Sequence, residues 1–125
     1  YVADFIARVY ALDARTGELV WSVKVDDHAN ATITGAPVLH DGRLFVPVSS
    51  LEVTSAADPN YPCCTFRGAV VALDAATGAV AWKTHTIDEP ARAVGKTRIG
   101  TPILAPSGAP VWNSPAIDAK RGLLY

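Results

Sequence analysis

Methionine is absent, and the chain has only two cysteines and three histidines. No apolar run approaches the roughly 18–20 residues needed to cross a bilayer as a helix; every such run is broken by Asp, Gly or Arg, so no membrane span is expected. Charge is scarce and balanced, 11 Lys and Arg against 12 Asp and Glu, which leaves no basic surface of the kind that nucleic acid binding requires. His28, His40 and His85 lack metal-ligand spacing and read as residues of strand ends or loops. Asn30-Ala31-Thr32 matches a glycosylation acceptor, a pattern too short to carry weight alone. A P-loop, a nucleophile triad, a zinc site and a Cys-x-x-Cys-His haem motif are all missing. With no initiating Met and no leader pattern ahead of Tyr1, the sequence reads as an internal fragment.

What is present is repetition. Val9-Tyr10-Ala11-Leu12-Asp13-Ala14-Arg15-Thr16-Gly17-Glu18-Leu19-Val20-Trp21 recurs further along as Val70-Val71-Ala72-Leu73-Asp74-Ala75-Ala76-Thr77-Gly78-Ala79-Val80-Ala81-Trp82. Each copy sets an Asp-x-x-Thr-Gly turn between two apolar strands. There the Asp can accept hydrogen bonds from the backbone just downstream, and the Gly can take positive φ. A second hairpin type alternates with the first: 35–48 turns at Asp41-Gly42, and 113–125 looks like its next copy. The matching prolines of this second type, Pro37 and Pro115, stand farther apart than Trp21 and Trp82 of the first, so the second unit is the longer. Its surplus falls in the Pro-, Gly- and Ala-rich stretch 88–111, which reads as a long loop. Four strands per unit is the propeller-blade pattern. The expected fold is all-β: the outer hairpin of one blade (about 5–25), one complete blade (33–87) and the inner hairpin of the next (111–125), about two blades in all, with long loops at 49–67 and 88–111.

The loop of the complete blade carries both cysteines side by side in Tyr61-Pro62-Cys63-Cys64-Thr65-Phe66-Arg67-Gly68. Neighbouring Cα atoms lie about 3.8 Å apart, short of the roughly 4.4–6.8 Å of an ordinary bridge, so a bond between these two closes a small ring rather than stapling distant parts of the fold. If oxidised, the pair places the protein outside a reducing cytosol.

The repeated Ala-x-Asp-x-x-Thr-Gly-x-x-x-Trp at 11–21 and 72–82 resembles the tryptophan-docking motif of the quinoprotein alcohol dehydrogenases, eight-bladed propellers that hold pyrroloquinoline quinone (PQQ) on their axis. Related repeats occur in non-enzymatic propellers, so Trp21 and Trp82 are expected as wedges between blades. Four loop segments extend the resemblance in the family's order. These are Thr34-Gly35-Ala36-Pro37, Ser49-Ser50-Leu51-Glu52, Cys63-Cys64 with Arg67-Gly68, and Gly108-Ala109-Pro110-Val111-Trp112-Asn113. The wording at 39–50 and 61–68 is similar to the branch of the family that oxidises polyvinyl alcohol. It departs from the methanol dehydrogenases in having Ser50 where Gly is usual, and in carrying the cysteines in the same loop as the Glu.

The resemblance implies a disulfide lid (Cys63, Cys64) and an aromatic floor (Trp112) for a flat quinone. It implies polar partners for the quinone in Arg67, Thr34, Ser49 and Ser50, and a Ca²⁺ ligand in Glu52. Plainer roles stand beside these: free thiols, blade packing for Trp112, a backbone carbonyl or Asp58 for Arg67, turn satisfaction for the hydroxyls and a solvated carboxylate for Glu52. No catalytic residue is expected within the chain, since the family's Asp base belongs to a later blade. The implied protein is a periplasmic alcohol dehydrogenase that uses PQQ and Ca²⁺ to oxidise secondary or polymeric alcohols and passes electrons to cytochrome c. The alternative is a non-catalytic propeller scaffold for protein assembly.

Overall fold

The computed structural model describes residues 1–125. Strands β1 (Val2–Ala3), β2 (Arg8–Leu12) and β3 (Leu19–Lys24) form one antiparallel sheet. A larger sheet is a meander of β5 (Val38–His40), β6 (Arg43–Ser50), β7 (Ala69–Asp74) and β8 (Val80–His85), with β4 (Ala31–Thr32) paired to the far end of β6. The hairpin of β11 (Ile117–Asp118) and β12 (Leu123–Leu124) closes the chain.

The turns form for the reasons legible in their residues. Asp13 Oδ1 accepts the N–H groups of Arg15 and Thr16 while Gly17 sits at φ 76°, and Asp74 and Gly78 repeat the arrangement at φ 75°. Asp118 accepts from Lys120 and Arg121 ahead of Gly122 at φ 65°, a third instance of the same turn. Asp41 and Gly42 both take positive φ, as a two-residue Asp-Gly hairpin requires.

The core lies between the two sheets. Ala7, Val9 and Val25 of the first pack with Leu44, Val46, Val48, Val71 and Leu73 of the second, and Phe66 fills one end. Trp21 spans this junction: its indole N–H donates to Ala75 O at 3.2 Å, and its ring lies directly over Gly78, where an added Cβ would come within 2.7 Å of the indole. Trp21 thus docks on the Thr77-Gly78 turn of the next unit, whereas Trp82 packs beside Phe45 within its own sheet and rests on no such turn. Lys83 on β8 crosses the same junction to Asp26 at 2.6 Å and Val25 O at 3.1 Å.

Two stretches depart from expectation. Within 49–67 a single helical turn, α1 (Glu52–Ser55), follows β6. Residues 88–111 are not a plain loop but carry a hairpin of β9 (Arg92–Lys96) and β10 (Pro102–Ala105). Every residue of β9 is exposed, so it has no buried face to impose the apolar alternation that marks a strand.

Gly78→Ala is expected to cost about 2 kcal/mol, from positive φ and from collision with Trp21. In a Trp21→Ala background the second penalty disappears, so the two substitutions should fall short of additivity by about 1 kcal/mol in a double-mutant cycle read by urea unfolding of the intact protein.

Candidate functional site

The site begins with a loop that has to satisfy its own backbone. Between α1 and β7 the chain runs through Tyr61 to Gly68, and Glu52 supplies the missing acceptors. Its Oε1 receives Thr65 N–H at 2.8 Å and the Tyr61 hydroxyl at 3.0 Å, and its Oε2 receives Phe66 N–H at 2.9 Å. The Thr65 hydroxyl lies 3.4 Å from Oε1 and His28 Nε2 lies at 3.5 Å. Asn30 N–H donates to His28 Nδ1, so the neutral ring carries its proton on Nε2, facing Thr65 and Glu52.

Glu52 is only 4% exposed. Burial pushes its carboxyl upward, but the Thr65 and Phe66 N–H groups, the Tyr61 hydroxyl and the neighbouring His28 ring outweigh burial and hold it below the ordinary glutamate value. Tyr61 shifts the other way, raised by burial and by its bond to the carboxylate, which keeps the phenol a donor. Asn30 is part of this assembly through Tyr61 and Ser55, and Thr32 is fully buried, so Asn30-Ala31-Thr32 is a structural segment.

Cys63 and Cys64 are joined as a disulfide at the centre of the loop. One wall of a 220 Å³ cavity is Cys64 with Phe66, and Ser50, Glu52 and Trp112 line it as well. Four of the residues singled out from the sequence thus converge on one space. On the other side of Trp112 lies a wider groove of 550 Å³, bounded by Val70, Val111 and Tyr125.

Trp112 owes its position to residues that the sequence suggested as ligands. Thr34 Oγ1 donates to Trp112 O at 3.0 Å and pairs with Ser49 Oγ at 3.1 Å, while Ser49 in turn bonds Thr32 O. Gly35 passes so close to Asn113 and Ser114 that an added Cβ would meet their backbone at 2.6–2.9 Å, and Ala36 N–H donates to Ser114 Oγ. Gly68 is equally confined, by the Ala109 carbonyl. Thr34 and Ser49 thus form the seat of Trp112. Ser50 Oγ accepts Glu52 N–H and keeps its own proton available in the cavity wall.

Arg67 does not reach this cavity. Its Nη1 donates to Ile87 O at 3.2 Å and Asp88 O at 2.7 Å, the backbone-carbonyl role, and its side chain borders a separate polar pocket with His28, Lys83 and His85. The assignment of Arg67 to a cofactor carboxylate thus lacks support in its position, because the chain end entering β9 has carbonyls to satisfy and the guanidinium is beside them.

As a cation ligand Glu52 is constrained. Oε1 is saturated and Oε2 has one lone pair left, and no cluster of three or more His, Cys, Asp or Glu side chains stands anywhere in the chain. A hard cation needs about 6–8 oxygens. Sequence reasoning missed His28, Tyr61 and Asn30; the only local hint was the density of polar residues about the cysteines.

Glu52→Gln is expected to destabilise the protein by about 2–4 kcal/mol at pH 7, because the amide leaves one N–H facing another donor. A depressed carboxyl contributes stability that is complete above its unfolded pKa of about 4.3 and is lost as pH falls through its folded value. Wild type should therefore lose its advantage over the variant below about pH 4, a convergence measurable by urea unfolding across pH 3–7.

Residues 6–107 match the family model described as outer membrane protein assembly factor BamB. Over all 125 residues the chain is 41% identical to a polyvinylalcohol dehydrogenase of a Pseudomonas species and 40% identical to one from a Sphingopyxis species. It spans about a fifth of the length of each, 20% and 19%. Among solved structures, the quinohemoprotein alcohol dehydrogenase ADHIIG from Pseudomonas putida superposes with a TM-score of 0.63 at 27% identity, over 99% of this chain and 18% of that one. The repeat, the docking of Trp21 on the next unit's turn and these likenesses agree: the chain belongs to the quinoprotein alcohol dehydrogenase family, and its sheets are those of a β-propeller.

Proposed function

We propose that the chain is the part of a PQQ- and Ca²⁺-dependent alcohol dehydrogenase that forms one side of the cofactor site, in a periplasmic enzyme oxidising secondary or polymeric alcohols and passing electrons to cytochrome c. The observation that carries this is the convergence of Cys64, Trp112, Ser50 and Glu52 on one cavity. The disulfide is compact and apolar, and the indole is broad and flat, so the two suit the faces of a planar ring system with little freedom to lose on binding. The Ser50 hydroxyl and the Glu52 anion supply polarity at its edge. When bound, PQQ provides the electron-accepting chemistry and the cation polarises its carbonyl.

The chain's own residues bind, orient and exclude water. Phe66, 2% exposed, closes the cavity toward the core, and Glu52 holds the disulfide loop in place from beneath. Glu52 adds one oxygen to a cation through its remaining Oε2 lone pair, and the other ligands and the proton-accepting base come from parts of the enzyme beyond these residues.

The description of the matching family model favours a second reading, a propeller that assembles outer-membrane proteins and holds no cofactor. That match covers the repeated hairpins, which both classes share. The meeting of Cys64, Trp112, Ser50 and Glu52 around one cavity favours the cofactor reading over such a scaffold.

Dye-linked oxidation of a secondary alcohol by the full-length protein, with PQQ and Ca²⁺ added, separates the two readings. The dehydrogenase reading expects turnover, and expects Trp112→Ala to weaken quinone retention by about 10–100-fold through loss of ring contact. No bound quinone and no turnover would sink it in favour of the scaffold.

A further inference from the structure

We infer that the groove between the Cys63–Cys64 disulfide and the β9–β10 hairpin is a second substrate subsite, which holds the flanking units of an uncharged, linear polyhydroxylated chain while one hydroxyl of that chain enters the cavity beside Cys64. The inference rests on the dehydrogenase reading for what happens in the cavity, and on the groove alone for where the chain lies.

The groove has a volume of 360 Å³, within the range of small-molecule pockets, and Ala56, Cys64 and Ser107 line both it and the cavity. The two spaces are neighbours with Cys64 between them. Pro59, Pro102, Ile103 and Leu104 give the groove an apolar lining suited to methylene groups. Thr97 and Ser107 place hydroxyls along it. Thr97 Oγ1 accepts Thr101 N–H and so keeps its own proton to donate, and the Ser107 hydroxyl makes no bond within the protein.

No Lys, Arg or His borders the groove, so it offers an anionic chain no counter-charge. Asp58 is its one carboxylate, with Oδ1 engaged by Asn60, and the Tyr61 hydroxyl already donates to Glu52. An alternation of methylene and hydroxyl-bearing carbons is the ligand chemistry that such a lining matches.

Both banks are fixed to each other. Leu104 N–H donates to Cys63 O at 2.6 Å, Cys64 N–H donates to Leu104 O at 3.2 Å, and Thr101 Oγ1 donates to Pro59 O at 2.6 Å. A preformed groove loses little conformational freedom when a flexible chain enters. The hairpin that makes the outer bank falls in the stretch by which the second repeat unit outgrows the first, so the groove is an addition to the blade rather than a consequence of it.

The test uses the full-length protein, 2-butanol, and vinyl alcohol oligomers of increasing length. In wild type loaded with PQQ and Ca²⁺, KM should fall as the oligomer lengthens. Thr97→Phe, which fills the groove, should raise KM for the longer oligomers by about tenfold or more and leave 2-butanol kinetics unchanged. Thr97→Val removes only the hydroxyl and should give a smaller rise, about two- to fivefold. Calorimetric titration of a long oligomer into the cofactor-free protein should show binding that Thr97→Phe abolishes. A KM independent of length, or equal effects of Thr97→Phe on oligomer and 2-butanol, overturns the subsite. If the loaded wild type oxidises neither alcohol, the dehydrogenase reading fails instead, and the titration still decides the groove.

Discussion

Glu52, on the helical turn α1, faces a loop with two interior backbone N–H groups, those of Thr65 and Phe66, that no strand partner accepts. A buried N–H without an acceptor costs about 1–3 kcal/mol, and a buried carboxylate without donors costs more. The carboxylate and the loop resolve each other's deficit, with Tyr61 closing the arrangement at 3.0 Å. Everything at the candidate site inherits its position from that exchange. Phe66 is carried into the core, Cys64 is carried to the cavity wall, and the peptide between the cysteines is left free to bond Leu104 and hold the β9–β10 hairpin.

A second support meets the first from the neighbouring segment. Thr34, Gly35 and Ala36 form a bed for residues 112–114, and Gly68 and Thr86 hold Ala109 close against β7 and β8. The cavity is thus set between two independently anchored walls, one fixed by a buried anion and the other by hydroxyl bonds and close backbone approach. Neither wall depends on a mobile side chain, which suits a site that has to keep a flat ring in one orientation.

The parts of the fold legible in the sequence are those whose causes are local. Asp13, Asp74 and Asp118 bond residues two and three places on, and the glycines that follow take the positive φ that their turns need, so each hairpin announces itself. The β9–β10 hairpin was not legible, because its strands pair with each other on an exposed surface and carry no buried face. Trp112, Cys64, Ser50 and Glu52 were placed on one site by resemblance, and they share one cavity. Thr34, Ser49 and Arg67 were grouped with them by the same resemblance, and they do not line that cavity. Their partners, Trp112 O, Thr32 O and the carbonyls of Ile87 and Asp88, are distant in the chain, and no spacing rule exposes them.

The central claim is that one buried carboxylate organises the disulfide loop. Amide hydrogen exchange at Thr65 and Phe66 tests it most directly, with the β7 amides as an internal reference. The account predicts that both amides exchange as slowly as those of β7 in the wild-type protein, and that Glu52→Gln speeds exchange at these two positions selectively. Fast exchange at Thr65 and Phe66 in wild type, or no change on substitution, would contradict it.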